Sequence, residues 1–236
     1  MPQMPSIIAS DRSLIPACDV DADRFEELIQ ATHDLPQIGG YKISAELAIT
    51  LGLPTVVRIA RKYTDKPLIY DHQKAGNDIP DTGKNFAARV KASGISALII
   101  FPFTGPETQT IWTQSAQQIN LPIILGGHMT HDRFLASEGG YIADSSIERI
   151  YQLGALHRLT DFVVPGNKPD VISRLRRLLL EHGVDPIFYA PGFVAQGGTI
   201  TDAAAAAGPR WHAIIGRAIY GATDMRKAAI TLGSHL

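Results

Sequence analysis

The chain has 236 residues, 45% of them hydrophobic and 19% charged, a balance that can bury a sizeable core in one barrel-sized domain or two small ones. Its net charge of −1 leaves no basic footprint for nucleic acid, and a single cysteine, Cys18, excludes an intrachain disulfide framework. No apolar run approaches the ~18 residues of a membrane helix, and MPQMPSIIAS lacks the regions of a secretion signal, so a cytoplasmic protein is expected. Residues 13–20 (SLIPACDV) read as a first strand ending near Asp19, and Asp21 is placed to cap a helix over residues 22–32. Residues 37–43 (QIGGYKI) form a glycine-interrupted second strand carrying Lys42. A helical stretch then runs from Ser44 to about Tyr63, broken at Gly52 and Pro54.

The third strand opens the stretch LIYDHQKAGNDIPDTG, residues 68–83, where an apolar run gives way to Asp71, Lys74, Asp78 and Asp81. Residues 82–93 are helical. Strands follow at 96–101, 121–125, 161–164, 186–190 and 211–215, separated by helices at about 106–119, 145–156 (capped by Ser145), 169–182 and a short alanine-rich one opened by Thr201 and Asp202. A last helix covers about 223–232. Strands buried on both faces lose alternation and become continuous apolar runs, as these do. Eight strand–helix units with no linker predict a single α/β domain over residues 1–236, a (β/α)8 TIM barrel. A doubly wound open sheet is the alternative, but the first turn, CDVDADRF, lacks the glycine-rich nucleotide fingerprint.

In such a barrel the C-terminal strand ends converge on one face. This sequence puts there Asp19, Lys42, Asp71 with Lys74, the 128–130 segment, Pro165-Gly166, Pro191-Gly192 with Gln196, and Gly216-Arg217. An ammonium near a core requires a partner, and for Lys42 that is Asp19 or Asp71. The last two strand-end loops are where this fold commonly builds a phosphate site, with glycine N–H groups approaching the anion and Arg217 offering a planar fork.

Together CDV, GYKIS, D-x-x-K-x-x-x-DIPDT, PGFVAQGG and IIGRAI resemble the orotidine 5′-phosphate decarboxylase family, in order along nearly the whole chain. The resemblance implies a homodimer of barrels with shared active sites, a nucleotide substrate, and neither metal nor cofactor. It implies that Asp19 holds ribose hydroxyls and that Lys42 links the ribose to the charged array. Asp71 would face the substrate carboxylate and Lys74 would protonate the carbon that loses it. Asp78, with Ile79 and Thr82, would reach into the partner's site; Gln196, Gly216 and Arg217 would bind phosphate; Thr130 would stand against the pyrimidine. Residues 193–200 would form a lid. One departure stands out. The gaps around Lys74, His72-Gln73 and Ala75-Gly76-Asn77, are each one residue longer than the family pattern. On a regular strand a spacing of three points side chains apart, so convergence of Asp71 and Lys74 requires a bulge or an early end to the strand.

Two other readings share the fold. Mg²⁺-dependent sugar-phosphate decarboxylases and hexulose-phosphate synthases want an acidic metal ligand at the end of strand two, where this chain has Lys42. A non-catalytic nucleotide-phosphate binder would keep the phosphate loops without the reaction. His128 and His131 read as locally packed loop histidines, Cys18 as a small buried apolar residue, and RLRR at 174–177 as a solvated helix face.

Overall fold

The computed structural model describes residues 6–72, 77–192 and 200–236. Its elements run β1 (Arg12–Cys18), α1 (Ala22–Thr32), β2 (Tyr41–Ile43), α2 (Ala45–Leu51), α3 (Leu53–Ala60), β3 (Leu68–Asp71), α4 (Gly83–Ala92), β4 (Ala97–Ile100), α5 (Pro106–Gln118), β5 (Ile123–Gly126), α6 (Asp144–Leu156), β6 (Asp161–Val163), α7 (Pro169–Glu181), β7 (Ile187–Ala190), α8 (Ile200–Ala207), β8 (Trp211–Ile215), α9 (Arg217–Tyr220) and α10 (Met225–Gly233). All neighbouring strands are parallel, and β8 pairs back onto β1 from Arg12↔Trp211 to Pro16↔Ile215, so the sheet closes. Closure excludes the open doubly wound sheet.

Alternate residues of each strand face opposite sides. One set, including Leu14, Leu98, Leu125, Phe162 and Phe188, packs under the helices; the other, including Ile15, Ile69, Ile99, Ile124, Val163 and Ile214, fills the barrel. Each such aliphatic side chain contributes about 1.5–3 kcal/mol when fully buried. Gly126 is needed in this interior: a Cβ there would collide with the Phe101 ring.

The N-terminal half of the barrel is not wholly apolar. Ser13 Oγ lies 2.8 Å from His212 Nδ1, and the His212 ring packs 4.9 Å from that of Tyr189. Tyr189 Oη donates to Asp161 Oδ1 at 2.9 Å, and Thr160 Oγ1 to Asp161 Oδ2 at 2.7 Å. Burial pushes His212 down to about 4, and it pushes the Asp161 carboxyl above its ordinary value against the opposing pull of those two hydroxyls.

Several expected boundaries are corrected. The second strand is only Tyr41–Ile43, because Ser13 Oγ and Ile8 stand where a Gly39 Cβ would be, and Gly40 lies against the Pro67 carbonyl. The chain there still pairs with β1, through the Leu14 N–H to the Gln37 carbonyl and the Gly39 N–H to the Leu14 carbonyl, but only as the single bridge of Ile38 to Leu14. Ser145 is not a cap: α6 starts at Asp144 behind Ala143, with the Asp144 carboxylate taking the N–H and hydroxyl of Ser137. The alanine-rich helix opens at Ile200, one residue early, and α9 directly after Gly216 was not expected. Asp21 does cap α1, accepting the Arg24 N–H at 2.9 Å.

Candidate active site

Lys42 is the middle residue of β2, in register with Ala17 on β1 and Ile69 on β3, both of which face the barrel interior. Its side chain therefore runs up the inside toward the C-terminal rim. There its Nζ donates to Asp71 Oδ2 at 2.7 Å and to Asp19 Oδ1 at 3.3 Å. Asp71 shares the interior face with Ile69, two residues before it, and is 8% exposed; Asp19, just past the end of β1, is far more open. Burial alone would lower the Lys42 ammonium, but Asp71 and Asp19 together outweigh it and hold it above its ordinary value. Asp71 Oδ1 is buried and accepts no hydrogen bond among the described residues. An unused buried carboxylate oxygen costs about 1–3 kcal/mol unless a further donor meets it.

β3 ends at Asp71, so the two-residue alternation need not continue beyond it. His72 still keeps to the outward face of Tyr70, two residues before it: its Nδ1 lies 2.5 Å from Tyr70 Oη, and its ring packs 5.3 Å from Phe86 on α4. Phe86 in turn packs on Trp112 of α5, whose Nε1 donates to the Ile79 carbonyl at 3.2 Å. This aromatic row ties the end of β3 to the DIPDT segment. Lys74 lies outside the described residues, as do Gln196 and the rest of 193–199.

Asp78 is exposed; its carboxylate accepts the Ile79 N–H at 2.7 Å, and its carbonyl accepts the Thr108 hydroxyl at 3.0 Å. Ile79 is 61% exposed, unusual for a large apolar side chain, while the Thr82 hydroxyl is spent on the Ile79 carbonyl at 2.8 Å. Asp78, Ile79 and Thr82 thus form a turn braced against α5, and none of these hydrogen bonds joins them to the Lys42 cluster. Gly216 does join it. A Cβ placed there would lie 3.8 Å from Asp19 Oδ2 and 3.2 Å from the Tyr220 ring. Arg217 follows, exposed at the start of α9. Tyr220, which the sequence did not single out, belongs to the same surroundings: burial and Asp19 raise its phenol while Arg217 and Lys42 work against them.

After β5 the chain folds into a compact loop. His128 and His131 both pack on Phe134, at 5.6 and 5.7 Å, as expected of locally packed histidines. Among the described residues no three His, Cys, Asp or Glu side chains could together hold a metal ion. Cys18 is fully buried, which drives its thiol far above the ordinary range and leaves it inert. Arg174 and Arg177 are exposed, with Arg176 part-buried between them.

A closed (β/α)8 barrel with an Asp–Lys–Asp array at its C-terminal rim, beside a Gly-Arg turn after the last strand, has the architecture of a phosphate-binding barrel enzyme. Residues 12–232 match the model of the orotidine 5′-phosphate decarboxylase / HUMPS family, and the chain belongs to that family. An orotidine 5′-phosphate decarboxylase of Methanosarcina barkeri is 29% identical over 227 residues, 94% of each chain. The solved orotidine 5′-phosphate decarboxylase of Pyrococcus horikoshii superposes with a TM-score of 0.77 at 26% identity, over 94% of this chain and 98% of that one. The Methanocaldococcus jannaschii enzyme, solved with the inhibitor BMP, shares the fold with a TM-score of 0.81 at 22% identity, covering 99% of both chains.

Proposed function

We propose that the protein is a cytoplasmic, cofactor-independent orotidine 5′-phosphate decarboxylase, forming uridine 5′-phosphate in pyrimidine biosynthesis on a single-domain barrel spanning residues 1–236. The observation that carries this reading is Lys42 bridging Asp19 and Asp71 on the rim of a barrel whose relatives carry that name. The bond from the ring carbon to the carboxylate breaks, CO₂ leaves, and the electron pair stays on the ring carbon with no conjugated sink. Ammonium groups are the available stabilisers, and a proton from Lys74 completes the product. Asp71, held by Lys42, stands against the departing carboxylate; its buried Oδ1 is the acceptor that the Lys74 ammonium is expected to meet. Asp19 holds the ribose hydroxyls and Thr130 faces the pyrimidine. Gln196, Gly216 and Arg217 grip the phosphate, a remote contact whose binding energy is spent on ordering the site.

The Mg²⁺-dependent reading of the same superfamily is disfavoured by the ammonium itself, which occupies the space between the two carboxylates that a dication would need. The test follows the loss of orotidine 5′-phosphate absorbance in EDTA, with wild type beside Lys74→Ala. Wild-type turnover that survives the chelator and falls by about 10³-fold or more in the variant is expected. Absence of wild-type turnover with uridine 5′-phosphate still bound would leave a non-catalytic binder.

The assembly proposed is a homodimer in which Asp78, Ile79 and Thr82 complete the partner's site. The support is the 61% exposure of Ile79 on a turn braced by Trp112 and Thr108. Sedimentation should show wild type at twice the chain mass and Ile79→Asp shifted toward the single chain, with turnover falling in parallel. A wild type that sediments as one chain while fully active sinks the shared site.

A further inference from the structure

The loop between β5 and α6 is held from below by a set of contacts that the reaction scheme does not use. Asn167 Nδ2, from the turn after β6, donates to the Thr130 carbonyl at 3.0 Å. The next residue, Lys168, sets its Nζ 3.6 Å from Glu138 Oε1, an ion pair too long for a hydrogen bond. Glu138 Oε2 in turn accepts the N–H groups of Phe134 at 3.1 Å and Leu135 at 3.3 Å. The loop is otherwise folded on itself: Ala136 N–H donates to the Ile142 carbonyl, Gly140 N–H to that of Leu135, and Gly140 presses on the Phe134 backbone where no Cβ would fit. Asn167 and Lys168 are therefore its tether to the neighbouring strand end. Two atoms of that tether lack hydrogen bonds, although one of them, Lys168 Nζ, is ion-paired with Glu138. Asn167 Oδ1 and Lys168 Nζ are both buried, and neither has a hydrogen-bond partner among the described residues. Folded proteins seldom bury polar atoms without hydrogen bonds, so a pair of them side by side calls for an explanation.

The geometry points to Asn167 and Lys168 as positioning residues that latch the β5–α6 loop, and Thr130 with it, against the base of the bound nucleotide. This rests on the decarboxylase reading, in which Thr130 faces the pyrimidine. A latch of this kind acts on the end of the ligand that carries the ring and leaves the phosphate end, built from the loops after β7 and β8, alone. Its signature is a selective loss of base-dependent binding, which a general weakening of the barrel would not produce.

The experiment measures binding of uridine 5′-phosphate and of ribose 5-phosphate, which lacks the base, by calorimetric competition. The proteins are wild type, Asn167→Ala, Asn167→Ser and Lys168→Met. Asn167→Ala should weaken uridine 5′-phosphate by about tenfold, the size of one lost hydrogen bond, and Lys168→Met, which removes an ion pair, should weaken it in the same direction by about threefold. Ribose 5-phosphate should stay within about twofold. Asn167→Ser, which keeps a short donor and disturbs the turn least, should fall between wild type and Asn167→Ala, and it serves if the alanine variant does not fold. Equal weakening of both ligands, or no change in either, overturns the latch. Turnover of orotidine 5′-phosphate by wild type, assayed separately, tests the decarboxylase reading, so the two can fail independently.

Discussion

Lys42→Met is expected to abolish turnover, by at least about 10²–10³-fold, and to destabilise the fold by about 3 kcal/mol or more. Both effects have one origin. Asp71 is 8% exposed and has Lys42 as its 2.7 Å partner, so removing the ammonium strands a carboxylate inside the barrel rim. Because Asp19 and Asp71 hold that ammonium above its ordinary value, its stabilisation is complete at neutral pH and fades only as the pH rises through the elevated value. Adding Asp71→Asn to Lys42→Met removes the stranded charge. The double variant should regain most of the lost stability, read from urea unfolding, while remaining inactive. A double variant as unstable as the single would show that the ion pair is not what the rim depends on. A single variant with wild-type turnover would remove Lys42 from the reaction.

Acid should erode stability through His212, by about 3 kcal/mol between roughly pH 6.5 and pH 4. Burial in the barrel interior depresses this imidazole to about 4, while in the unfolded chain it titrates near 6.5. Across that window the unfolded chain binds a proton that the native state refuses, so stability is full above the unfolded value and is lost as the pH falls toward the folded one. Asp161 pulls the other way, since its raised carboxyl makes the native state the better proton binder just above the ordinary carboxylate range. The informative quantity is therefore the difference between wild type and His212→Asn. The variant should be less stable at neutral pH through the altered contact with Ser13, yet show a flatter decline on acidification. Parallel pH profiles for the two proteins would rule out the imidazole as the source.

Periodic features were legible in the sequence. Helix α1 and strand β8 run between the expected residues, because a capped amphipathic stripe and a continuous apolar run each carry their own boundaries. The partners of Lys42 were legible as well: a cation placed on an inward-facing strand position between two rim carboxylates has nowhere else to go. What escaped was set by contacts distant in sequence. The shortness of β2 depends on Ser13 and Ile8 crowding Gly39, and the start of α6 on Asp144 being drawn to Ser137. Neither partner is marked by any local pattern. Tyr220, Asn167 and Lys168 were missed for the same reason, since each reaches the rim only once neighbouring loops are brought side by side. β3 does end at Asp71, one of the two conditions that the long spacing set, while Lys74 and the residues beside it lie outside the described residues.

The aromatic row from Tyr70 to Trp112 also has an optical consequence. The chain holds two tryptophans. Trp211 is fully buried on β8, whereas the Trp112 indole N–H is bonded to the carbonyl of Ile79, in the turn proposed to meet a second subunit. Indole emission responds to the field and polarity around the ring. One intrinsic fluorophore thus reports on the barrel wall and the other on the subunit-facing turn, so the emission spectrum can separate unfolding from dissociation without an added label.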